Sequence, residues 1–194
     1  MSIRFSVTLP PQRDGLGELF VIDTVTNVPV LGPFSCLGTS ARGTAEQHGN
    51  DTRNPTQRYG HTPDGGYRVE GTLGPDAPNT AARKSYGAHA RFRIVGISGA
   101  AELRQANIAA ANEKPLRIHG GHQEGPYKPK PGEVGGFVVT NGCLRMADGD
   151  IARLHTYLRD RQIAYPFDLE VRSGPVNVPG RVFDVDDVEI DPGL

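Results

Sequence analysis

The sequence predicts a mostly β fold, a β-rich mixed sheet or sandwich with one or two short helices. Two observations predict it. Glycine and proline account for 25 and 16 of the 194 residues, which is more than a helical bundle tolerates. Apolar and polar residues also alternate in several short stretches, as they do in strands with one buried face. The length fits one domain over 1–194, with a C-terminal extension at about 174–194.

The first half of the chain reads as short strands and turns. Alternation at the N-terminus predicts a hairpin whose turn lies at residues 25–27. Residues 38–64 are polar and lack any period, which predicts a long surface loop. Turn-forming residues at 75–79 separate two further strands. Over the whole chain the predicted strands are residues 4–9, 18–23, 29–36, 65–72, 89–97, 116–119, 136–140 and 166–172.

Two helices are predicted. Residues 100–112 hold Ala, Leu and Ile at mixed spacing and are typical of a short helix. A second helix follows Asp148 or Asp150, either of which is expected to cap it. Apolar residues recur there at three- and four-residue spacing, together with one histidine, and so share a face: Ile151, Leu154, His155 and Leu158.

Charge and hydropathy exclude several classes of partner. Lys and Arg total 21 against 22 Asp and Glu, so the net charge of -1 gives no pull toward nucleic acid or an anionic membrane. No stretch approaches the roughly 20 apolar residues that cross a bilayer, and residues 1–11 show no signal peptide. Cys36 and Cys143 permit one disulfide, but a lone reactive thiol is an equally open interpretation.

Two segments carry the chemistry, residues 117–122 and 140–146. One strand delivers His119, and a second is expected to deliver Cys143 at its end. Acyl transfer through sulfur requires a thiolate, and a neighbouring imidazole can take the thiol proton and later protonate the leaving amine. Gly142 leaves room for a substrate carbonyl, and backbone N–H groups there could stabilise an oxyanion.

These segments resemble the signature of the L,D-transpeptidase (YkuD-type) catalytic domain family. That signature has His followed by Gly or Ser, a loop, and then Ser/Thr-His-Gly-Cys, an apolar residue, and Asn or Arg. His119-Gly120 and residues 142–145 match it, and residues 60–67 resemble the family's Thr-Pro segment. Asn141 stands where many members carry a second His, so an amide would take over that role. The His119 to Cys143 interval is longer than expected, and its surplus at 123–134 is predicted to shape acceptor choice.

The resemblance implies an enzyme that needs no metal or cofactor. It implies a thioester acyl-enzyme formed on tetrapeptide stems of peptidoglycan, resolved as an L,D-transpeptidase or an L,D-carboxypeptidase. The implied site has catalytic residues Cys143, His119, Gly142 and Asn141, and substrate-binding residues Arg145, His122, Gly120, Thr140 and Tyr67. Arg145 could instead be a strand-end residue, and His122 rather than His119 could be the base.

Two other functions remain open. His119 and His122, with His61 or His89, could form the zinc site of an amidase. A peptidoglycan-binding module that has lost turnover would also fit Asn141. For the enzyme, the resemblance implies synthesis in the cytoplasm and action in the periplasm or cell wall. Delivery by secretion machinery as an antibacterial effector, with an immunity protein as partner, competes with a cytoplasmic role on recycled stem peptides.

Overall fold

The described residues form ten strands and four helices in a computed structural model that covers 2–121, 133–134 and 137–176. The strands are β1 (Ile3–Leu9), β2 (Gly17–Asp23), β3 (Pro29–Leu37), β4 (Gly65–Leu73), β5 (Arg91–Gly96), β6 (Arg117–His119), β7 (Glu133–Val134), β8 (Phe137–Val138), β9 (Leu144–Met146) and β10 (Phe167–Ser173). The helices are α1 (Arg42–Gln47), α2 (Ala81–Tyr86), α3 (Gly99–Ala110) and α4 (Asp148–Asp160). The prediction of a mostly β fold is confirmed.

Eight of the strands close into a barrel in the order β1-β10-β4-β5-β6-β9-β3-β2. The pairs β1–β10 and β6–β9 are parallel, and the other neighbours are antiparallel. Strands β7 and β8 form a separate two-stranded ladder. The short central strands β6 and β9 therefore lie side by side, although a long segment of chain separates them.

Alternating apolar residues fill the barrel. In β1 the residues Ile3, Phe5, Val7 and Leu9 are all buried, and their neighbours are partly exposed. The Phe5 ring meets Phe92 and Phe167 edge-on, with centroids 5.8 and 4.8 Å apart. Burying one such side chain stabilises a fold by about 1.5–3 kcal/mol. The alternating apolar residues of the strands therefore contribute much of the stability of the core.

Both predicted helices are present as α3 and α4. In α4 the residues Ile151, Leu154 and Leu158 are buried, while His155 stacks on Phe92 at 4.5 Å. The predicted cap was wrong, because the helix begins after Ala147 and no side chain caps it. Asp148 and Asp150 lie in the first turn, where negative charge favours a helix N-terminus.

The predicted loop over 38–64 has more structure than its composition indicated. It contains α1, and the buried side chain of Asn50 donates to the carbonyls of Asn54 and Arg58 at 3.1 and 3.0 Å. The Asn50 carboxamide oxygen also accepts from the Asn54 N–H at 2.7 Å. These side-chain bonds take the place of the backbone hydrogen bonds of a helix or strand. The segment therefore needs no repeating pattern of apolar residues in its sequence.

The sequence also failed to predict α2 and β9. Helix α2 has six residues, and Thr80 caps it by accepting from the Arg83 N–H at 3.1 Å. Residues Phe137–Val138 pair with β7 rather than joining the barrel, and Cys143 comes just before β9 instead of ending the preceding strand. His122, most of the predicted loop over 123–134, and residues 177–194 of the predicted extension lie outside the described residues.

Candidate active site

The turn that leads into β9 holds Cys143. Gly142 has φ +103°, a left-handed conformation that only glycine adopts readily. A Cβ at this position would lie 3.3 Å from the carbonyl oxygen of Gly60 and from the side chain of Leu116. Cys143 itself is half-buried. The glycine predicted at the oxyanion position is therefore required by the shape of the turn that presents the thiol.

Two threonine hydroxyls fix this turn. Thr62 donates from Oγ1 toward the carbonyl oxygens of Gly142 and Cys143, at 3.0 and 3.1 Å. The Thr140 hydroxyl donates to the same Cys143 carbonyl at 2.7 Å. Thr140 was predicted to bind substrate, but it is almost fully buried. In the structure both threonines position the nucleophile turn.

The segment that carries Thr62 is anchored in turn by Arg13. The Arg13 guanidinium donates to the Thr62 carbonyl at 3.3 Å and pairs with Asp64 at 2.7 Å. It also donates to the carbonyl of Pro10 and the hydroxyl of Ser173, at 2.8 and 3.0 Å. Arg13 thus ties the chain ahead of β2 to the nucleophile turn through Thr62. Sequence reasoning missed this role, because the partners lie far apart along the chain.

His119 ends β6 and is buried. Its Nδ1 lies 2.7 Å from the carbonyl oxygen of Gly120. Because a carbonyl only accepts, Nδ1 carries the proton in the neutral ring, and Nε2 has a lone pair available for a thiol proton. The edge of the Tyr86 ring packs against the imidazole at 5.1 Å between centroids.

Gly120 thus orients the imidazole from within the protein. It was predicted to bind substrate, but it is buried beneath the Asp148 carboxylate, where a Cβ would overlap the carboxylate oxygen. The same oxygen accepts from the Gly121 N–H at 2.9 Å. The two glycines let the chain after β6 pass close to the start of α4.

The pairing of β6 with β9 brings together the two segments that carry His119 and Cys143. Ile118 lies opposite Leu144 and His119 opposite Arg145, so the next pair back is Arg117 and Cys143. Ile118 and Leu144 are fully buried in the core. Since side chains alternate along a strand, Arg117, His119 and Arg145 face the other way, while Cys143 precedes β9 and packs partly against the core.

His119 is therefore diagonal to Cys143 across two adjacent strands. A strand spacing of about 4.8 Å and a rise of about 3.3 Å per residue put their Cα atoms about 8 Å apart. Among the described residues, no hydrogen bond joins the two side chains. Catalytic hydrogen bonds are often long before substrate binds, and the separation is within reach of an imidazole and a thiol.

Arginines surround the pair. Burial of the ring is the main reason why the pKa of His119 lies well below its usual value. The charges of Arg145 of β9, Arg117 of β6 and Arg91 of β5 lower this pKa further. The imidazole is consequently neutral at pH 7. Burial raises the pKa of the Cys143 thiol, and a backbone hydrogen bond from Arg117 and the charges of Arg117, Arg145 and Arg104 act against that rise. The resting site is thus a neutral imidazole and a thiol in a cationic setting.

The remaining predicted residues occupy different positions. Arg145 is buried, and its Nη2 lies 3.4 Å from the carbonyl oxygen of Ser85, so it is not a residue at the surface. Asn141 is exposed next to Gly142, where its predicted contact with an oxyanion stays a prediction. Tyr67 is fully buried, with its hydroxyl donating to Pro63 at 2.7 Å, and it offers no surface to a substrate.

The two cysteines are both free. Cys36 lies in β3 opposite Met146, is fully buried, and has its pKa raised by that burial to about 12. Within the described ranges, no three His, Cys, Asp or Glu side chains lie close enough to hold a metal ion. No described helix is both long and apolar enough to span a membrane.

Comparison with known proteins identifies a family that includes this site. The family model of the YkuD L,D-transpeptidase catalytic domain matches residues 37–178, which include the last residue of β3 and all of β4 through β10. No curated protein matches. A solved structure titled "Structure of Bdellovibrio bacteriovorus Bd1075" is 12% identical, with a TM-score of 0.45 over 87% of this chain and 48% of the other. The chain thus spans about half the length of that relative.

The family match confirms the resemblance seen in the sequence. It covers most of the chain, and both the nucleophile turn before β9 and the histidine at the end of β6 lie within it. This chain belongs to the YkuD family of L,D-transpeptidase catalytic domains, a family whose function is directed at peptidoglycan.

Proposed function

We propose that this chain is a cysteine-dependent L,D-transpeptidase or L,D-carboxypeptidase that acts on tetrapeptide stems of peptidoglycan. One observation carries the proposal. The parallel pairing of β6 with β9 brings His119, at the end of β6, near Cys143, just before β9, and the imidazole is bonded through Nδ1 with Nε2 left to accept a proton. A buried structural histidine has no need of this arrangement, whereas a general base beside a nucleophile requires it.

In the first half-reaction the Cys143 proton passes to Nε2 of His119 while sulfur attacks the carbonyl of the diamino acid. The resulting oxyanion lies near the backbone of Gly142 and Cys143, with the exposed Asn141 amide beside it. Its collapse breaks the peptide C–N bond, and His119 returns the proton to the departing nitrogen of D-Ala. A thioester on Cys143 remains.

In the second half-reaction an acceptor attacks the thioester and His119 takes its proton. The C–S bond breaks, and the thiolate regains a proton from the imidazolium. An amine from another stem gives a cross-link, a free D-amino acid gives exchange, and water gives carboxypeptidase activity. Arg117 and Arg145 are buried near Cys143, so their charges act on the thiol rather than at the surface.

The test is mass spectrometry of a purified disaccharide-tetrapeptide incubated with the wild-type chain and with Cys143→Ala. Loss of D-Ala, exchange or dimer formation by the wild type alone, with an adduct on Cys143, is the expected result. Cys36→Ala is the matched control, because Cys36 is a buried core thiol and its loss should spare turnover in protein that still folds. Full activity of Cys143→Ala would refute the proposal. An unchanged substrate, with Cys143 inert to an electrophile, would favour a peptidoglycan-binding module.

The place of action belongs to the same proposal. We infer that the chain acts in the periplasm or cell wall, because its substrate lies outside the cytoplasmic membrane. Delivery as an antibacterial effector would require secretion machinery and an immunity protein in the producing cell. Expression in a Gram-negative bacterial host with and without a periplasmic leader tests this. Lysis or altered muropeptides only in periplasmic expression is expected, and equal effects from both locations would refute it.

A further inference from the structure

Arg117 is buried directly beside the nucleophile. The register of β6 and β9 puts it opposite Cys143, and its backbone forms a hydrogen bond with the thiol. Only 7% of the residue is exposed, and its Nε is buried with no hydrogen-bond partner. Within the described residues, no carboxylate forms an ion pair with Arg117. A buried cation in this state is costly unless an anion accompanies it at some stage.

The neighbouring arginines are balanced differently. Arg91 pairs with Asp76, and Arg104 with Glu113 at 3.4 Å. Arg91 and Arg117 both stack on Tyr86, with guanidinium carbons 4.4 and 4.8 Å from the ring centroid. The stack holds the Arg117 guanidinium in place without supplying a negative charge.

The groups that face Cys143 come from four elements. They are Arg117 and His119 on β6, Arg145 on β9, Arg104 on α3, and the Tyr67 phenol on β4. Burial raises the pKa of Tyr67, so the phenol is neutral at physiological pH, and the His119 imidazole is neutral as well. The Cys143 sulfur is therefore the group in this set that can become an anion when its proton leaves.

We propose that Arg117 is the counter-charge of the Cys143 thiolate. The S–H bond breaks as the proton passes to Nε2 of His119, and the new negative charge on sulfur lies beside the Arg117 guanidinium. Arg117 forms no covalent bond and neither gains nor loses a proton. It acts as a positioning residue that favours the thiolate, and the inference rests on the proposed function only in taking Cys143 as the nucleophile.

The experiment measures the rate of alkylation of Cys143 by iodoacetamide from pH 6 to 10, followed by peptide mass spectrometry in the full chain. Cys36 is silent because it is fully buried. Arg117→Met keeps a long apolar stem and removes the charge. An opposite charge within about 4–6 Å shifts a pKa by one or more units, so we expect the alkylation midpoint to rise and the rate at pH 7 to fall about tenfold.

Arg93→Met is the matched control, since Arg93 of the neighbouring β5 is exposed and pairs with Glu70 at 3.4 Å. It should alkylate within about twofold of the wild type, while Arg117→Lys keeps the charge but not the planar stack on Tyr86, and should alkylate faster than Arg117→Met and more slowly than the wild type. Near-ultraviolet circular dichroism checks that each variant is folded, and Arg117→Lys decides the matter if Arg117→Met does not fold. A wild-type midpoint in Arg117→Met, or equal losses in the Arg93 and Arg117 variants, overturns the inference.

Alkylation and turnover can fail separately. If the pH midpoint of Cys143 alkylation depends on Arg117 but the chain leaves tetrapeptide unchanged, the inference is sustained and the proposed function is refuted. Turnover of tetrapeptide with a midpoint indifferent to Arg117 would do the reverse.

Discussion

The Thr62 hydroxyl lies 3.1 Å from the carbonyl oxygen of Cys143, a residue 81 positions further along the chain. This contact joins the segment ahead of β4 to the turn ahead of β9, and it fixes the backbone that carries the nucleophile. The hydroxyl of Thr140, three residues before Cys143, donates to the same carbonyl oxygen. The nucleophile is therefore held from two directions by hydroxyl groups that do not themselves take part in the chemistry.

Thr62→Val removes the hydroxyl and keeps the shape of the side chain. We expect a loss of about 1–3 kcal/mol in the free energy of unfolding, because two buried carbonyls lose a donor. Turnover should fall by more than stability explains, since the turn is no longer fixed. Urea unfolding and the kcat of D-Ala release measure the two effects. Thr72→Val, on the exposed side of β4, is the control and should change neither. Unaltered kcat in folded Thr62→Val would contradict this role.

Gly142→Ala tests the left-handed turn. An alanine at φ +103° is strained, and its Cβ would lie 3.3 Å from the Gly60 oxygen. We expect destabilisation of about 1–3 kcal/mol, seen as a lower urea midpoint, together with a large loss of Cys143 alkylation. Gly149→Ala is matched to it, because nothing lies within 4 Å of a Cβ there and the residue is helical. That variant should be neutral or slightly more stable. Similar losses from both substitutions would rule out the conformational explanation.

Arg13→Met removes the cation that ties Thr62 and Asp64 to the N-terminal segment. The guanidinium is buried, but the Asp64 side chain is 42% exposed, so solvent screening limits the cost of the lost ion pair. With its buried hydrogen bonds to Thr62 and Ser173 included, we expect a loss of about 2–3 kcal/mol, measured by thermal and urea unfolding. Arg159→Met, at an exposed position in α4, should cost under about 0.5 kcal/mol. If the two variants are equally stable, the contacts of Arg13 with Thr62 and Asp64 do not stabilise the fold.

The stability of the chain should fall in mild acid, and His61 is one cause. Burial first, and the charges of Arg53 and Arg13 after it, lower the pKa of His61 to about 3. Between pH 6.5 and that value the unfolded chain binds a proton that the folded chain does not. The free energy of unfolding thus has its full value above pH 6.5 and decreases by up to about 1.4 kcal/mol per pH unit as the pH falls.

His61→Asn checks this, because its oxygen can replace Nδ1 as the acceptor of the Ser40 N–H, a contact of 3.2 Å. Urea unfolding at pH 7.0, 6.0 and 5.0 should give a smaller pH slope for His61→Asn than for the wild type. His119 and His155 also have lowered pKa values and should sustain the remaining slope. His48→Asn, at an exposed position, should leave the slope as it is in the wild type. An identical slope in His61→Asn and the wild type would exclude His61 as a source.

The sequence alone determined the features that depend on neighbours along the chain. Alternation in β1 and β10 and the apolar face of α4 follow from local periodicity, and the structure shows these elements within a few residues of their predicted bounds. The signature around His119 and Cys143 identified the family for a similar reason, because its residues lie in two short segments. The turn at residues 25–27 was also predicted, and in the structure the Asp23 carboxylate accepts from two N–H groups of that turn.

Only the tertiary structure decided how distant segments meet. The parallel pairing of β6 with β9 puts Arg117 beside Cys143, and no spacing in the sequence indicates that register. Thr62, Arg13 and Tyr86 enter the site by the same kind of contact, and Thr140, Gly120 and Tyr67 are buried in supporting positions. The physical reason is that strand pairing and closure of the barrel are set by the burial of the whole core, which is a sum over residues far apart in the chain.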